Sequence, residues 1–194
     1  MNSCLHTLFP KTLVVIDDLL TDKLDVFETR TRELVNQDSY RNGVLNVDST
    51  HTTNQSLHHD PVFEPLVTAI YDHATEYLKE LGYFQVLEFI KIDAMWTNIS
   101  VAGDFLYPHV HGNSIISGAF YIKTNYDSKI KFFNDIADMM PHPIIPNDLS
   151  ATQYDFECIP GRMILFKSNL MHSTPKQTGG EKIVISFNIG TSLI

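Results

Sequence analysis

The first third of the chain carries hydrophobic patterns typical of one strand followed by two helices. Residues 12–16 are β-branched and apolar and are followed by two aspartates, so we predict a short strand. Thr21 is a candidate N-cap for a helix ending near residue 36. Apolar residues at intervals of three and four predict a second helix over 61–81. Residues 38–60, rich in Asn, Ser, Thr and His, are expected to be irregular and largely exposed.

From about residue 84 the pattern changes to short β-rich runs separated by turn signals. The predicted strands cover 85–101, 105–111, 115–123, 129–133, 153–158, 162–167 and 182–190. Two helices followed by many strands favour a mainly β fold with flanking helices, a barrel or jelly roll with the helices on one outer face. We interpret 1–194 as one domain, with supporting elements in 1–83 and the β core in 84–194.

Alternation within three strands separates an apolar face from a mixed one. In the last strand Ile183, Ile185 and Phe187 lie on one face, whereas Lys182 and Ser186 lie on the other. We expect the apolar faces to pack against the helices and the mixed faces to line the barrel interior. Because a buried polar group without a partner costs about 1–3 kcal/mol, the polar interior predicts a cavity that holds a ligand.

Bulk properties narrow the class of protein. The 43% hydrophobic content of 194 residues is enough for one core. The formal net charge of -9, with 14 basic and 23 acidic residues, argues against a nucleic-acid partner. Cys4 and Cys158 are far apart and no long apolar run is present, so we expect a soluble cytoplasmic protein without disulfides or membrane contact. A homodimer is compatible with this composition.

Three histidines carry the candidate chemistry. His109 and His111 are two residues apart on a predicted strand, so their side chains would point to the same side. His172 could reach the same point from another strand. Three imidazoles in a β cavity would form a first-row transition-metal site with open coordination positions. The remaining histidines, including His51 and the pair His58 and His59, are interpreted as surface or structural residues.

The order of motifs in residues 84–190 resembles the Fe(II)/2-oxoglutarate-dependent dioxygenases. More narrowly, it is similar to a small bacterial and phage branch of these oxygenases with an HxH...H motif. The motifs that carry the resemblance are Trp96-Thr97-Asn98, the run from Pro108 through His109, His111, Ser114, Ser117 and Gly118 to Tyr121, and Ser186-Phe187-Asn188. The resemblance implies a double-stranded β-helix, a cupin-like jelly roll. It also implies a hydroxylase that uses Fe(II), O2 and 2-oxoglutarate, and that couples decarboxylation to succinate with oxidation of a substrate.

The resemblance also implies roles for individual residues. His109 and His172 match the metal ligands, and His111 takes the position where most relatives have a carboxylate. Lys182 stands ten residues after His172, where the family usually has an arginine that holds the far carboxylate of 2-oxoglutarate. Further co-substrate contacts are expected from the inward-facing polar residues of three strands, namely Tyr121, Asn98 and Ser186.

Two other functions remain open at this point. A cupin-like dioxygenase with three His ligands would need no 2-oxoglutarate and would not use Lys182. A non-catalytic jelly-roll binding or structural protein would retain the fold alone. The prime substrate, whether a small molecule or a peptidyl group, is not indicated, and residues 38–60 and 134–152 are the candidate lids.

Overall fold

The computed structural model describes residues 3–38, 47–125, 127–134 and 143–193. The helices are α1 (Leu24–Asp38) and α2 (Glu64–Glu80). The strands, in chain order, are β1 (Leu13–Ile16), β2 (Asp48–Ser49), β3 (Ile90–Ser100), β4 (Leu106–His109), β5 (Ile116–Lys123), β6 (Lys129–Phe133), β7 (Gln153–Glu157), β8 (Met163–Lys167), β9 (His172–Thr174) and β10 (Lys182–Thr191). Short 3-10 helices cover Thr21–Lys23, Leu57–His59, Pro61–Phe63 and Phe84–Phe89.

Two antiparallel sheets face each other. The larger sheet has the order β1-β8-β5-β10-β3-β2, and the smaller has the order β4-β9-β6-β7. A hydrophobic cluster that includes Tyr121 and Val184 of the large sheet and Phe132 of the small sheet lies between them. This arrangement confirms the predicted mainly β jelly roll.

The helices cover the outer face of the large sheet. Phe27 of α1 and Leu66 and Ile70 of α2 belong to the same buried cluster as Ile185 and Phe187 of β10. The packing is close, because a Cβ atom on Gly118 of β5 would lie 2.3 Å from the ring of Phe187. Glycine is therefore required where β5 passes this ring. The prediction that the apolar strand faces meet the helices is confirmed.

The N-terminal elements are part of this architecture rather than an addition to it. Strand β1 pairs with β8, and β2 pairs with β3, so both extend the large sheet. The division of the chain at residue 83 therefore does not separate two sheets. That residues 1–194 form a single domain stays a prediction. Within the described part of the chain, no helix is both long and apolar enough to cross a membrane.

Several predicted boundaries differ from the structure. Thr21 is not the N-cap, because it opens a 3-10 turn whose N-cap is Leu20 in a left-handed conformation. Residues 84–89 form a 3-10 helix rather than the start of a strand, and β9 has no counterpart among the predicted strands. In each case the alternation of apolar residues is too short to distinguish a turn from a strand.

The segment predicted to be exposed, 38–60, is only partly so. Residues 39–46 lie outside the described residues, but Val47, Ser49, Thr50 and Leu57 are fully or almost fully buried. Thr50 accounts for this burial, since its backbone N–H donates to the carbonyl of Thr97 at 3.1 Å and its hydroxyl accepts from the Thr97 N–H at 3.2 Å. The polar composition of the segment thus reflects hydrogen bonding to β3.

Candidate metal centre and co-substrate cavity

Two of the three histidines are held opposite each other by strand pairing. His109 of β4 and His172 of β9 are direct partners in the antiparallel register, and their ring centroids lie 4.3 Å apart. Directly opposed side chains on one face are always near neighbours, so this pairing fixes the two imidazoles in contact. Phe166 packs edge-on against the ring of His172 at 4.7 Å and limits its movement.

His111 reaches the same point by a different route. Strand β4 ends at His109, so the prediction that both histidines lie on one regular strand is wrong. Instead, the backbone N–H of His111 donates to the carbonyl of Ser168 at 2.9 Å, which ties the segment after β4 to the end of β8. The ring centroid of His111 lies 5.2 Å from that of each of the other two histidines. One ring nitrogen from each of the three lies within 4.8 Å of the others.

Backbone carbonyls set the tautomers of two rings. The Nδ1 atom of His109 lies 2.7 Å from the carbonyl oxygen of Tyr107, and that of His172 lies 2.9 Å from the carbonyl of Leu170. Because a carbonyl only accepts, each Nδ1 carries the proton and donates it. The lone pair of each ring is therefore on Nε2, the arrangement found in metal-ligating histidines that are oriented by a second hydrogen bond.

The environment keeps the buried imidazoles neutral. Burial, followed by the charge of His109, lowers the pKa of His172 from 6.5 to about 3. Burial, followed by the charges of His109 and His51, lowers the pKa of His111 to about 4. Both rings are thus unprotonated at pH 7, and only an unprotonated imidazole can bind a metal.

The donor set fits a first-row transition metal. Three imidazole nitrogen donors converge without a carboxylate, and the part of the chain that the structure describes contains no other such group of His, Cys, Asp and Glu. Imidazole suits Fe(II), and three protein ligands leave further coordination positions for other molecules. A closed structural zinc site would need a fourth protein ligand.

The predicted co-substrate residues line one cavity with the three histidines. The cavity has a volume of about 370 Å³, and Lys182, Tyr121, Asn98 and Ser186 all contribute to its wall. Lys182 is only 3% exposed. None of the ion pairs between described residues involves it.

Burial decides the state of the groups around Lys182. Desolvation lowers the pKa of the Lys182 ammonium, and the nearby Cys158 and Asp104 partly offset this effect. Desolvation also raises the pKa of the Tyr121 phenol well above its usual value, so the hydroxyl keeps its proton. Asn98 donates from Nδ2 to the Ser186 hydroxyl at 3.3 Å. The cavity thus combines one buried lysine with hydrogen-bonding groups, which is suitable for an anion.

Sequence reasoning missed three residues of this region. His51 was interpreted as a surface residue, but it lines the cavity, and its ring contacts Trp96 edge-on at 4.7 Å. Ser117 and Asn188 were noted only as members of the motifs and were given no role, yet they form hydrogen bonds behind His111. Nothing in the local sequence around His51 indicates this position, because it depends on the pairing of β2 with β3.

Comparison with known proteins agrees with the geometry. Residues 94–188 match the model of a family described as "Putative 2OG-Fe(II) oxygenase". The matched region contains the three histidines and most of the cavity wall. Over this region the chain is similar to the 2OG-Fe(II) oxygenases. The protein is therefore an oxidoreductase of the class that depends on Fe(II), 2-oxoglutarate and O2. No curated protein sequence matches the chain.

Solved structures with low sequence identity share the fold over most of the chain. A viral collagen prolyl hydroxylase from Paramecium Bursaria Chlorella virus-1, in complex with 2-oxoglutarate, has 15% identity and a TM-score of 0.60, and the match covers 91% of this chain and 94% of that one. A prolyl-4-hydroxylase from Pseudomonas putida has 13% identity, a TM-score of 0.62 and 92% coverage of both chains. HygX from Streptomyces hygroscopicus, with nickel and 2-oxoglutarate bound, has 14% identity, a TM-score of 0.63 and coverage of 95% and 84%.

Proposed function

We propose that the oxygenase holds its Fe(II) through His109, His111 and His172, and that Lys182 binds the far carboxylate of 2-oxoglutarate. The observation that carries this proposal is the convergence of three imidazoles and one buried lysine on a single cavity. The chemistry that Fe(II), 2-oxoglutarate and O2 supply at such a site is oxidation of a prime substrate, coupled to decarboxylation of 2-oxoglutarate to succinate.

Lys182 has a clear physical reason to bind an anion. An ammonium that is 3% exposed loses most of its hydration, and this loss lowers its pKa. A carboxylate brought beside it restores the charged form and offsets the desolvation. Lysine does so as a point charge, whereas an arginine would bind in a bidentate manner, so neighbouring hydroxyl and amide groups must supply the orientation. Tyr121, Asn98 and Ser186 are in the cavity wall to do this.

The test compares variants of Lys182, the first residue of β10, and of Glu181, the residue just before the strand. Lys182→Ala should raise the 2-oxoglutarate concentration needed for half-maximal succinate formation at least about 30-fold, since truncating one partner of a buried charge pair costs about 2 kcal/mol or more. Glu181→Gln is the matched control, because Glu181 directly precedes Lys182 in the chain but forms its ion pair with Arg32 of α1. Fe(II)-dependent succinate release is the measurement.

The two outcomes separate the rival functions. If Lys182→Ala and Glu181→Gln behave alike while succinate is still formed, Lys182 is not the co-substrate anchor. If no succinate is formed by the unmodified protein with Fe(II), but O2 is consumed with a thiol or diketone substrate, the cupin-like dioxygenase is the correct function. Both of these enzyme functions predict that His172→Ala loses bound Fe(II).

The cavity wall also suggests the charge of the prime substrate. Among the described residues that line the cavity none is acidic, and its wall contains the rings of His51, Trp96 and Tyr107. A polycationic substrate would find no counter-charge there, so we propose a neutral or anionic group such as a peptidyl residue. Proline-containing peptides and the cationic aminosugar hygromycin B are suitable probes. Stimulation of succinate formation by hygromycin B would contradict the proposal, and stimulation by the neutral peptide would support it.

A further inference from the structure

His111 differs from the other two histidines in what orients its ring. Its Nδ1 lies 3.3 Å from Nδ2 of Asn188 rather than beside a backbone carbonyl. The Oδ1 atom of Asn188 in turn accepts a hydrogen bond of 2.8 Å from the Ser117 hydroxyl. The Ser117 oxygen lies 2.9 Å from the Ser168 hydroxyl. A side-chain relay therefore runs from Ser168 through Ser117 and Asn188 to His111.

The relay extends to the backbone of the same histidine. The Ser168 carbonyl accepts from the His111 N–H at 2.9 Å, so both ends of the relay are attached to His111. Ser117 and Ser168 are each about 1% exposed, and Asn188 lies on the inner face of β10. A buried network of this kind holds a side chain in one orientation when all of its members are satisfied.

The direction of the relay determines whether His111 can bind metal. An amide NH2 only donates, so in the orientation with Nδ2 facing the ring the lone pair is on Nδ1 and the proton on Nε2. That tautomer is opposite to the one that the carbonyls set in His109 and His172. Ligation by Nε2 requires a proton on Nδ1, and hence an acceptor opposite it.

Asn188 can supply that acceptor without leaving its place. The oxygen and nitrogen of an amide group are nearly equal in size, so a half-turn of the amide presents Oδ1 to His111 and Nδ2 to Ser117. The Ser117 hydroxyl then accepts from Asn188 and donates to Ser168, because a hydroxyl can do both. Every member remains hydrogen-bonded in either direction.

We propose that Asn188, supported by Ser117, is a positioning residue for the metal centre, and that its amide turns over when the metal binds. With Oδ1 facing the ring it fixes the Nε2-ligating tautomer of His111. The inference rests on the proposed metal ligands. It extends them by giving a role to Ser117, which lines the cavity, and to Asn188, which lies between Ser117 and His111.

The test uses Co(II) alone as the probe and measures its dissociation constant by calorimetry. Asn188→Ala should weaken Co(II) binding about 10–100-fold, the usual effect of losing the group that orients a ligating histidine. Asn188→Asp should retain an affinity within about threefold of the unmodified protein or better, because a carboxylate only accepts and so favours the required tautomer. Ser117→Ala, which leaves the amide but removes its support, should fall between the two. Glu181→Gln is the control and should change nothing.

A second measurement reports the tautomer directly. Nitrogen-15 NMR of the histidine rings should show the His111 proton on Nε2 in the metal-free protein and on Nδ1 after addition of Zn(II). Equal thermal midpoints for the metal-free variants establish that each one is folded. Equal weakening by Asn188→Asp and Asn188→Ala, or an unchanged His111 tautomer, would overturn the proposal. If instead His111→Ala leaves Co(II) affinity unchanged, the ligand assignment itself is wrong.

Discussion

The two faces of β10 belong to one strand but have opposite environments. Ile183, Ile185 and Phe187 on the outer face are fully buried against the helices and form a dry apolar core. Lys182 and Ser186 on the inner face line the cavity and contribute polar atoms to it. The outer face stabilises the fold by removing apolar surface from water. The inner face carries a desolvation cost, and we expect this cost to be recovered when ligands bind.

This contrast shows why the proposed co-substrate side of the cavity is on the large sheet, across from His109 and His172 on β4 and β9 of the small sheet. A sheet that is anchored by helices on one side can tolerate polar groups on the other, because the outer packing supplies the stability. The hydrogen bonds of Asn188 and Asn98 add rigidity on the inner side. Substitutions on the outer face should therefore affect folding, and substitutions on the inner face should affect chemistry.

The largest effect on activity is expected for His172→Ala, because His172 lines the cavity next to the inner face of β10. Succinate formation should fall to background, and binding of Fe(II) should be lost, because the buried member of the three histidines is removed. The free energy of unfolding of the metal-free variant should change less than that of Phe187→Ala. Succinate assays and urea unfolding measure the two quantities. If His172→Ala lowers the free energy of unfolding more than Phe187→Ala does, the cavity side also contributes strongly to stability and the proposed division of roles is wrong.

Phe187→Ala tests the outer face. Loss of this fully buried ring should lower the free energy of unfolding by about 3–5 kcal/mol, because a cavity is left beside Gly118 and Leu165. The affinity of the folded protein for Co(II) should remain within about threefold. Denaturant unfolding and metal titration below the unfolding range provide the data. A large loss of Co(II) affinity in fully folded Phe187→Ala would show that the outer and inner faces are energetically coupled.

Part of the pH dependence of stability should originate from His172, which lines the cavity that the inner face of β10 also lines. The pKa of His172 is lowered to about 3 in the folded protein, so between about pH 6.5 and 3 the unfolded chain binds a proton that the folded one does not. The free energy of unfolding of the metal-free protein should therefore fall as the pH falls through this range, by about 1.4 kcal/mol per pH unit from His172. Above pH 6.5 this contribution is constant.

His172→Leu provides the control for the pH dependence. It removes the titrating ring but keeps an apolar side chain, so its unfolding free energy should change less steeply between pH 6.5 and 4. Urea unfolding at a series of pH values gives both slopes. Identical slopes for the two proteins would mean that other groups determine the acid sensitivity.

The smallest effect on stability and activity is expected for Glu181→Gln, because Glu181 directly precedes β10 and belongs to neither of its two faces. Glu181 forms an ion pair with Arg32 of α1 and is about a quarter exposed, so solvent screens the pair. The free energy of unfolding should fall by no more than about 1 kcal/mol, and the 2-oxoglutarate requirement should not change. Thermal unfolding and succinate assays measure these. A change in the 2-oxoglutarate requirement would show that the outer charges help to place Lys182.

Much of the fold and of the cavity was predictable because local patterns are strong there. The alternation in β10, β5 and β3 identified which residues face inward, and Lys182, Tyr121, Asn98 and Ser186 do line the same cavity as the histidines. The helix of residues 64–80 followed from apolar spacing alone. The predictions that His51 is a surface residue and that a strand begins at residue 85 were wrong, because both features depend on contacts with residues distant in sequence.

The sequence by itself determined the two faces of each strand and the set of residues available for chemistry, since both depend only on residue type and a period of two. The tertiary structure decided which of those residues meet. Pairing of β4 with β9 brings His109 onto His172, and the Ser168 carbonyl places His111 beside them after its strand has ended. The register between strands and the hydrogen bonds beyond their ends are set by packing of the whole chain, and no local pattern records them.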